Sequence, residues 1–350
     1  MQKGISIIIA CYNSAKVIAT TLEHLQNQKN YDGIAWEVIL VDNNSTDNTS
    51  IIAKEYWNKN PVVPLRIINE NIVGEANARK AGIKAASYSI LSIVDDDNWV
   101  NSDWIKKVNA YFENPEIGLI GCAGEGVFEE NTPNWFEENQ HAFAIGSLYS
   151  GIFSDITHQG LVPGAGLSIR KIIYDKLFSI GWHPLLAGRV GSKQSAGADS
   201  EMCLVTRLLG YKIYYSNELK FQHFTAKHRI TWERLKNMTE GFGESDVFTL
   251  PYIIIFNESI GKSSILNTMR KFWWFNFIGK KLALFISDPI PFKRISEFDQ
   301  KNLIRIRNNA FCKTIWKERK KFSQSFSKLE NIFKILLNKT LNRPKSFSTK

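Results

Sequence analysis

Cysteine is scarce in this chain, with four in 350 residues: Cys11, Cys122, Cys203 and Cys312. They are far apart and form no C-x-x-C pair, which argues against a zinc ribbon or a disulfide framework and predicts a reducing, cytoplasmic setting. Long apolar runs are missing too. The longest, Pro251–Phe256, Phe272–Ile278 and Leu282–Ile286, fall well short of the roughly 20 residues needed to span a bilayer, so no integral membrane segment is expected. Met1-Gln2-Lys3-Gly4 leads directly into a strand-like run, which predicts no signal peptide. Neither G-x-G-x-x-G after the first strand nor G-x-x-x-x-G-K-[ST] occurs anywhere, so the usual dinucleotide and P-loop readings lose their signature.

An excess of charge is also missing from most of the chain. The net charge is +10, but Lys313 to Lys350 holds eleven Lys or Arg against Glu318 and Glu330, so 11 − 2 = +9 of it lies in the tail. A near-neutral body does not suit nucleic acid. A basic tail on such a body predicts an anionic surface as partner.

What is present is an alternation of strand and helix signals. Ile5–Ala10, Trp36–Val41, Leu65–Ile68 and Ser89–Val94 read as buried strands. Ser14–Gln28, Thr49–Trp57 and Glu75–Ala86 read as the helices between them. The pattern predicts an α/β fold with a mostly parallel, doubly wound sheet, whose ligands bind beyond the carboxyl ends of the strands.

Those ends are polar. Ile5–Ala10 runs into Cys11-Tyr12-Asn13, Trp36–Val41 into Asp42-Asn43-Asn44-Ser45-Thr46-Asp47, and Ser89–Val94 into Asp95-Asp96-Asp97-Asn98. Three adjacent carboxylates repel one another unless water screens them or a cation neutralises them. Hard oxygen ligands suit Mg²⁺ or Mn²⁺. On an extended segment Asp95 and Asp97 share a side and Asp96 points away; a solvated acidic turn is the plain alternative. Asp42 is placed to accept a hydrogen bond from a nucleobase, or else only to shape a polar loop. Gly74 through Arg79 opens a helix whose N–H groups and Arg favour phosphate.

The ordered set Ile7–Asn13, Val41–Asp47, Gly74–Arg79 and Val94–Asp97 resembles the catalytic domain of glycosyltransferase family 2, with its Rossmann-like GT-A fold. Pro163-Gly164-Ala165-Gly166-Leu167-Ser168-Ile169-Arg170 is similar to that family's glycine-rich acceptor-side segment, and Gly197-Ala198-Asp199-Ser200-Glu201-Met202 to its catalytic-base segment. The resemblance covers about Ile5 to Gly243. It implies inverting transfer of a sugar from a nucleoside diphosphate sugar, with a UDP-linked donor expected, to a glycan or a polyprenyl-diphosphate-linked acceptor in surface polysaccharide synthesis. By the same resemblance Cys11, Tyr12, Asn13, Asp42, Asn44, Gly74, Arg79, Asp95 and Asp96 bind the donor. Asp97, with Asp95 and His223, holds Mg²⁺ or Mn²⁺, and Asp199 is the general base. Gly164, Gly166, Trp135 and Glu201 lie on the acceptor side, Trp135 stacking on a sugar or serving as a core aromatic. Two positions depart from the family's pattern. Ala198 replaces the first acid of an acidic pair, leaving Glu201 as substitute base, and Lys80 replaces an Asn after Arg79. Nucleotidyl transfer and a non-catalytic glycan-binding scaffold are the competing readings, and His228 competes with His223.

Residues 1–245 are therefore expected to form the catalytic domain and 246–350 a mostly helical, aromatic and basic extension. Phe272-Trp273-Trp274-Phe275-Asn276-Phe277-Ile278 lies between cations, as in an interfacial segment or a packed helix. Phe322, Phe326, Leu329, Phe333 and Leu336 recur at helical spacing, which predicts a basic amphipathic membrane helix or a coiled-coil arm. Together these place the protein at the inner face of the cell membrane as a peripheral protein.

Overall fold

The computed structural model describes residues 2–158, 160–186, 197–287 and 298–341, with side chains as far as Phe333. Nine strands form one sheet: β1 (Gln2–Cys11), β2 (Trp36–Asp42), β3 (Leu65–Asn69), β4 (Tyr88–Ile93), β5 (Asn98–Val100), β6 (Ile117–Phe128), β7 (Phe153–Asp155), β8 (Ser168–Arg170) and β9 (Lys212–Thr225). Its order is β3-β2-β1-β4-β8-β6-β9-β5, with β7 on β9. The first half is parallel throughout, β1 pairing with both β2 and β4 and β2 with β3. The second half is mixed: β8 runs antiparallel to both β4 and β6, while β6 and β9 are parallel.

Helices cover both faces: α1 (Ile18–Gln26), α2 (Thr49–Lys59), α3 (Glu75–Ala85), α4 (Trp104–Tyr111), α5 (Phe136–Asn139), α6 (Lys171–Ser179) and α7 (Ala198–Leu208). Ile5, Ile7, Ile8 and Ile9 are all fully buried, because a strand covered on both sides needs apolar residues at odd and even positions. The first helix starts later than its apolar spacing suggests. Asn13 takes φ 55°, and the Ser14 N–H donates to Thr49 Oγ1 at 2.8 Å, so the chain turns before it can coil.

Beyond the sheet lie α8 (Trp232–Ser259), α9 (Ile265–Arg270), α10 (Trp273–Ser287), α11 (Gln300–Lys317) and α12 (Arg319–Leu341). The Thr231 hydroxyl caps α8 by accepting from the Arg234 N–H at 3.2 Å. This helix then runs unbroken through 245 and 246, where the two expected domains meet. The expected free amphipathic tail is not free. Phe322, Phe326, Leu329 and Phe333 are buried in the same core that covers one face of the sheet, against Tyr252 and its neighbours on α8. Burying each contributes roughly 2 kcal/mol, which fixes α12 to the body. Leu336 lies outside the described side chains. Among the described residues no helix is long and apolar enough to cross a membrane.

Candidate active site

The carboxyl ends of β1, β2 and β4 open into a cleft of about 900 Å³. Ten of the expected residues line it: Cys11, Tyr12, Gly74, Arg79, Asp95, Asp96, Asp97, Gly164, Asp199 and His223. The cysteine thiol is buried; burial first, then Asp96 and Asp42, push it far up, so it stays protonated.

The acidic triplet is not extended. The Asn98 N–H donates to the Asp95 carbonyl at 3.0 Å, closing a turn between β4 and β5. The three carboxylates therefore diverge to three partners instead of alternating across a strand. Asp95 meets Arg79 Nη2 at 3.1 Å. Asp96 accepts from the Ser14 hydroxyl, while its backbone carbonyl accepts from Thr21 Oγ1. Asp97 is paired with Arg229 and lies 3.5 Å from His223 Nε2. Burial, then the neighbouring Asp97, raises the Asp96 carboxyl. Burial would raise Asp97 as well, but His223 and Arg229 outweigh it and hold Asp97 low.

His223 reaches Asp97 because β5 pairs antiparallel with β9 in the register Asn98↔His223. Neither ring nitrogen of His223 makes a well-formed hydrogen bond: Nε2 lies 3.5 Å from Asp97, at the outer limit of one, and Nδ1 is buried with no partner. The Thr225 hydroxyl, also on the cleft wall, is likewise unpartnered. Buried polar atoms left unsatisfied call for a missing partner. Mg²⁺ or Mn²⁺ is commonly held by one or two protein ligands plus substrate phosphates and water. Asp97 beside His223 fits that donor set, although among the described residues no three His, Cys, Asp or Glu side chains form a ready cluster.

Asp199 sits in the first turn of α7, whose N-cap Gly197 has φ 98°. Arg79 Nη1 holds Asp199 Oδ1 at 2.9 Å, and Arg79 Nη2 lies 2.6 Å from Glu75, one turn earlier on α3. Burial disfavours the guanidinium charge, but Glu75, Asp199 and Asp95 more than offset this. Gly164 makes room for the pair: a Cβ there would lie 2.3 Å from Asp199 Oδ1 and 2.8 Å from Arg79 Nη1.

Six expected residues do not line the cleft. Both Asp42 oxygens are engaged locally, by the Ser45 N–H of its own loop at 2.9 Å and the Ser50 hydroxyl in the first turn of α2 at 2.5 Å. Its neighbour Asn43 lines the cleft instead and accepts from the Gly74 N–H at 2.7 Å, tying β2 to the start of α3. Asn13 accepts from the Thr46 N–H and Asn44 donates to the Asn71 carbonyl, so both shape the same loop. Trp135 packs with Phe136, Phe143 and Trp232, the core alternative to sugar stacking. Gly166 is needed for its φ of +70° and its closeness to Cys122 and Phe221. Glu201 is fully buried and faces α8, accepting from the Leu185 and Leu186 N–H groups and the Tyr252 hydroxyl. It cannot replace Asp199 as a base on the cleft. His228 is exposed outside the cleft.

The cleft also gathers residues that motif reading missed: Arg229, Arg234, Asp246 and Arg307. Arg307 on α11 grips Asp246 on α8 with two hydrogen bonds of 2.7 and 2.9 Å. The C-terminal helices thus supply a wall of the site. Only the cationic run Lys227-His228-Arg229 after β9 offered a sequence signal for any of these.

A largely parallel α/β sheet, with a cleft at its strand ends and facing carboxylates, defines a GT-A-like transferase fold. Residues 6–178 match the family described as Glycosyl transferase family 2, which makes this part of the chain a domain of that family. The glycosyltransferase GlyG of Streptococcus pneumoniae is 35% identical over 231 residues, covering 66% of this chain and 65% of GlyG. Two Bacillus subtilis relatives match over only 35% and 33% of their own length. The chain thus spans a third to two thirds of these curated relatives. Among solved structures, the mannosyltransferase PcManGT from Pyrobaculum calidifontis, in complex with GDP-Man and Mn²⁺, superposes with a TM-score of 0.54 at 15% identity, covering 91% of this chain and 88% of that one. Residues 1–349 of Staphylococcus aureus TarS, in complex with UDP-GlcNAc, give 0.51 at 16% identity, covering 90% and 92%. At these identities the likeness is one of fold.

Proposed function

We propose that the chain is an inverting glycosyltransferase that moves a sugar from a nucleoside diphosphate sugar, UDP-linked, to a hydroxyl of a glycan or lipid-linked acceptor in surface polysaccharide synthesis. The observation that carries the reading is Asp199, part-exposed on the cleft and joined through the Arg79 guanidinium to Asp95 of the acidic turn. The donors bound in PcManGT and TarS support the donor class, and the TarS complex favours UDP. In the transfer, Asp199 takes the proton of the acceptor hydroxyl as its oxygen bonds to the anomeric carbon. The bond from that carbon to the diphosphate oxygen breaks on the opposite face, so configuration inverts. Asp97 and His223 would hold Mg²⁺ or Mn²⁺, which when bound supplies positive charge to the diphosphate. Arg79 holds Asp199 and Asp95 side by side on its guanidinium, with its charge beside the nucleotide. Location at the inner face of the cell membrane belongs to the same reading.

The test is nucleoside diphosphate release from a panel of nucleotide sugars with acceptor glycans or lipids. Asp199→Asn should lower turnover by about 10²–10⁴ with donor affinity little changed. Turnover in Asp199→Asn equal to wild type would remove Asp199 as the base.

A further inference from the structure

We propose that α9 and the outer face of α10 form a docking surface for an anionic lipid interface. The proposal rests on the peripheral location above and assigns it to α10, which carries the Phe272–Ile278 cluster, and no longer to the tail. The apolar side chains of α12 that promised membrane contact are buried in the core. Those of α10 are not. Trp274, Ile278, Leu282, Phe285 and Ile286 stand at i, i+4, i+8, i+11 and i+12, one stripe of a helix, with exposures of 41, 49, 56, 68 and 75%. Phe272, 48% exposed in the turn before α10, stacks on Trp274, and on α9 Ile265 and Leu266 are exposed at 86 and 54%. Scattered exposed apolar residues need no explanation, but seven on two adjoining helices and an eighth in the turn between them mark a contact surface.

The inner face of α10 is already used. Trp273 and Phe277 pack on Trp316 of α11, so the helix is seated and its outer stripe is presented by a fixed body. Charge identifies the occupant. Between Glu258 and Asp288 there is no acidic residue, while Lys262, Arg270, Lys271, Lys280 and Lys281 supply five cations. Of these, Lys262, Arg270 and Lys281 are exposed, Lys281 with its ammonium over the Phe277 ring, while Lys280 donates to Asn308 at 3.0 Å. Lys271 is engaged by Glu258 and Glu330. An apolar face on a segment that has cations and tryptophan but no acid of its own matches lipid acyl chains beneath anionic headgroups. A second copy of the chain would bring two such cationic rims together with no acid in either segment to offset them.

The experiment is co-sedimentation of the full chain with vesicles of phosphatidylcholine alone and of phosphatidylcholine mixed with phosphatidylglycerol, alongside sizing of the free protein. Wild type should bind the mixed vesicles. The triple variant Ile278→Ser, Leu282→Ser, Phe285→Ser should partition at least about ten-fold less well to them, because it loses buried apolar area. Lys262→Glu, Arg270→Glu and Lys281→Glu together should erase the preference for the anionic mixture. Both variants should keep the wild-type melting temperature and nucleotide release in solution, since none of these residues lines the cleft. Equal partitioning of wild type and the triple variant overturns the proposal. So does a wild-type dimer that the triple variant lacks, with no vesicle binding by either. Vesicle binding without any nucleotide release would defeat only the catalytic reading.

Discussion

Gly164→Ala isolates the geometry that aims Asp199. The glycine does not have the left-handed φ of Gly166, so alanine is free to take its backbone conformation. The effect is then steric alone. The added carbon would lie 2.3 Å from Asp199 Oδ1 and 2.6 Å from its Cγ, where ordinary contacts begin at 3.4 Å. The carboxylate has to retreat by about 1 Å, and a misplacement of that size costs on the order of 10²-fold in rate. Asp199 is 33% exposed and has open cleft to move into, so stability should fall by only about 1 kcal/mol, the low end of overpacking. The assay is steady-state transfer with wild type, Gly164→Ala, Asp199→Asn and the double variant. If the methyl acts through Asp199, it should cost little once that carboxylate is gone, giving strong non-additivity. A Gly164→Ala enzyme within about three-fold of wild type, or equal losses in both backgrounds, would refute the argument.

Chelator should lower nucleoside diphosphate affinity at least about ten-fold in wild type and change nothing in Asp97→Asn, measured by calorimetry with Mn²⁺; equal affinity with and without chelator in wild type would count against Asp97 and His223 as ligands. Glu201 makes stability depend on pH in the direction opposite to a typical carboxylate. Burial pushes it up to about 7 from 4.5, against three hydrogen-bond donors. Between those values the folded chain keeps a proton that the unfolded chain releases, so this contribution is full below 4.5, falls by roughly 3 kcal/mol as pH rises to 7, and is level above. Urea melts of Glu201→Gln from pH 5 to 7 should lose that slope while starting from a lower stability, because an amide cannot accept all three bonds. An unchanged slope would show that Glu201 stays ionised in the fold.

The parallel half of this protein was legible from sequence because its determinants are local. Continuous apolar runs such as Ile5–Ala10 mark strands covered on both faces, and their chain order fixes where the polar ends fall. The cleft therefore opens among Tyr12, Gly74, Arg79, Asp95 and Asp97, as the ordered motifs suggested. One misreading was avoidable. Residues two apart on a helix stand roughly 200° apart around it, so Glu201 and Asp199 could not face the same cleft. The rest needed tertiary structure. Whether Asp42 meets a ligand or its own loop depends on Ser45 and Ser50 folding back to it, and whether the acidic triplet alternates or diverges depends on the turn to Asn98. Arg229 and Arg307 reach the cleft through a sheet register and a helix pairing that bring distant segments together. Periodicity showed that α12 carries an apolar stripe, and the Phe272–Ile278 cluster marked the start of α10 as apolar. Only the packed structure decided that α8 covers the one and leaves the other bare, because a helix's pattern records that a face is apolar and not what lies against it.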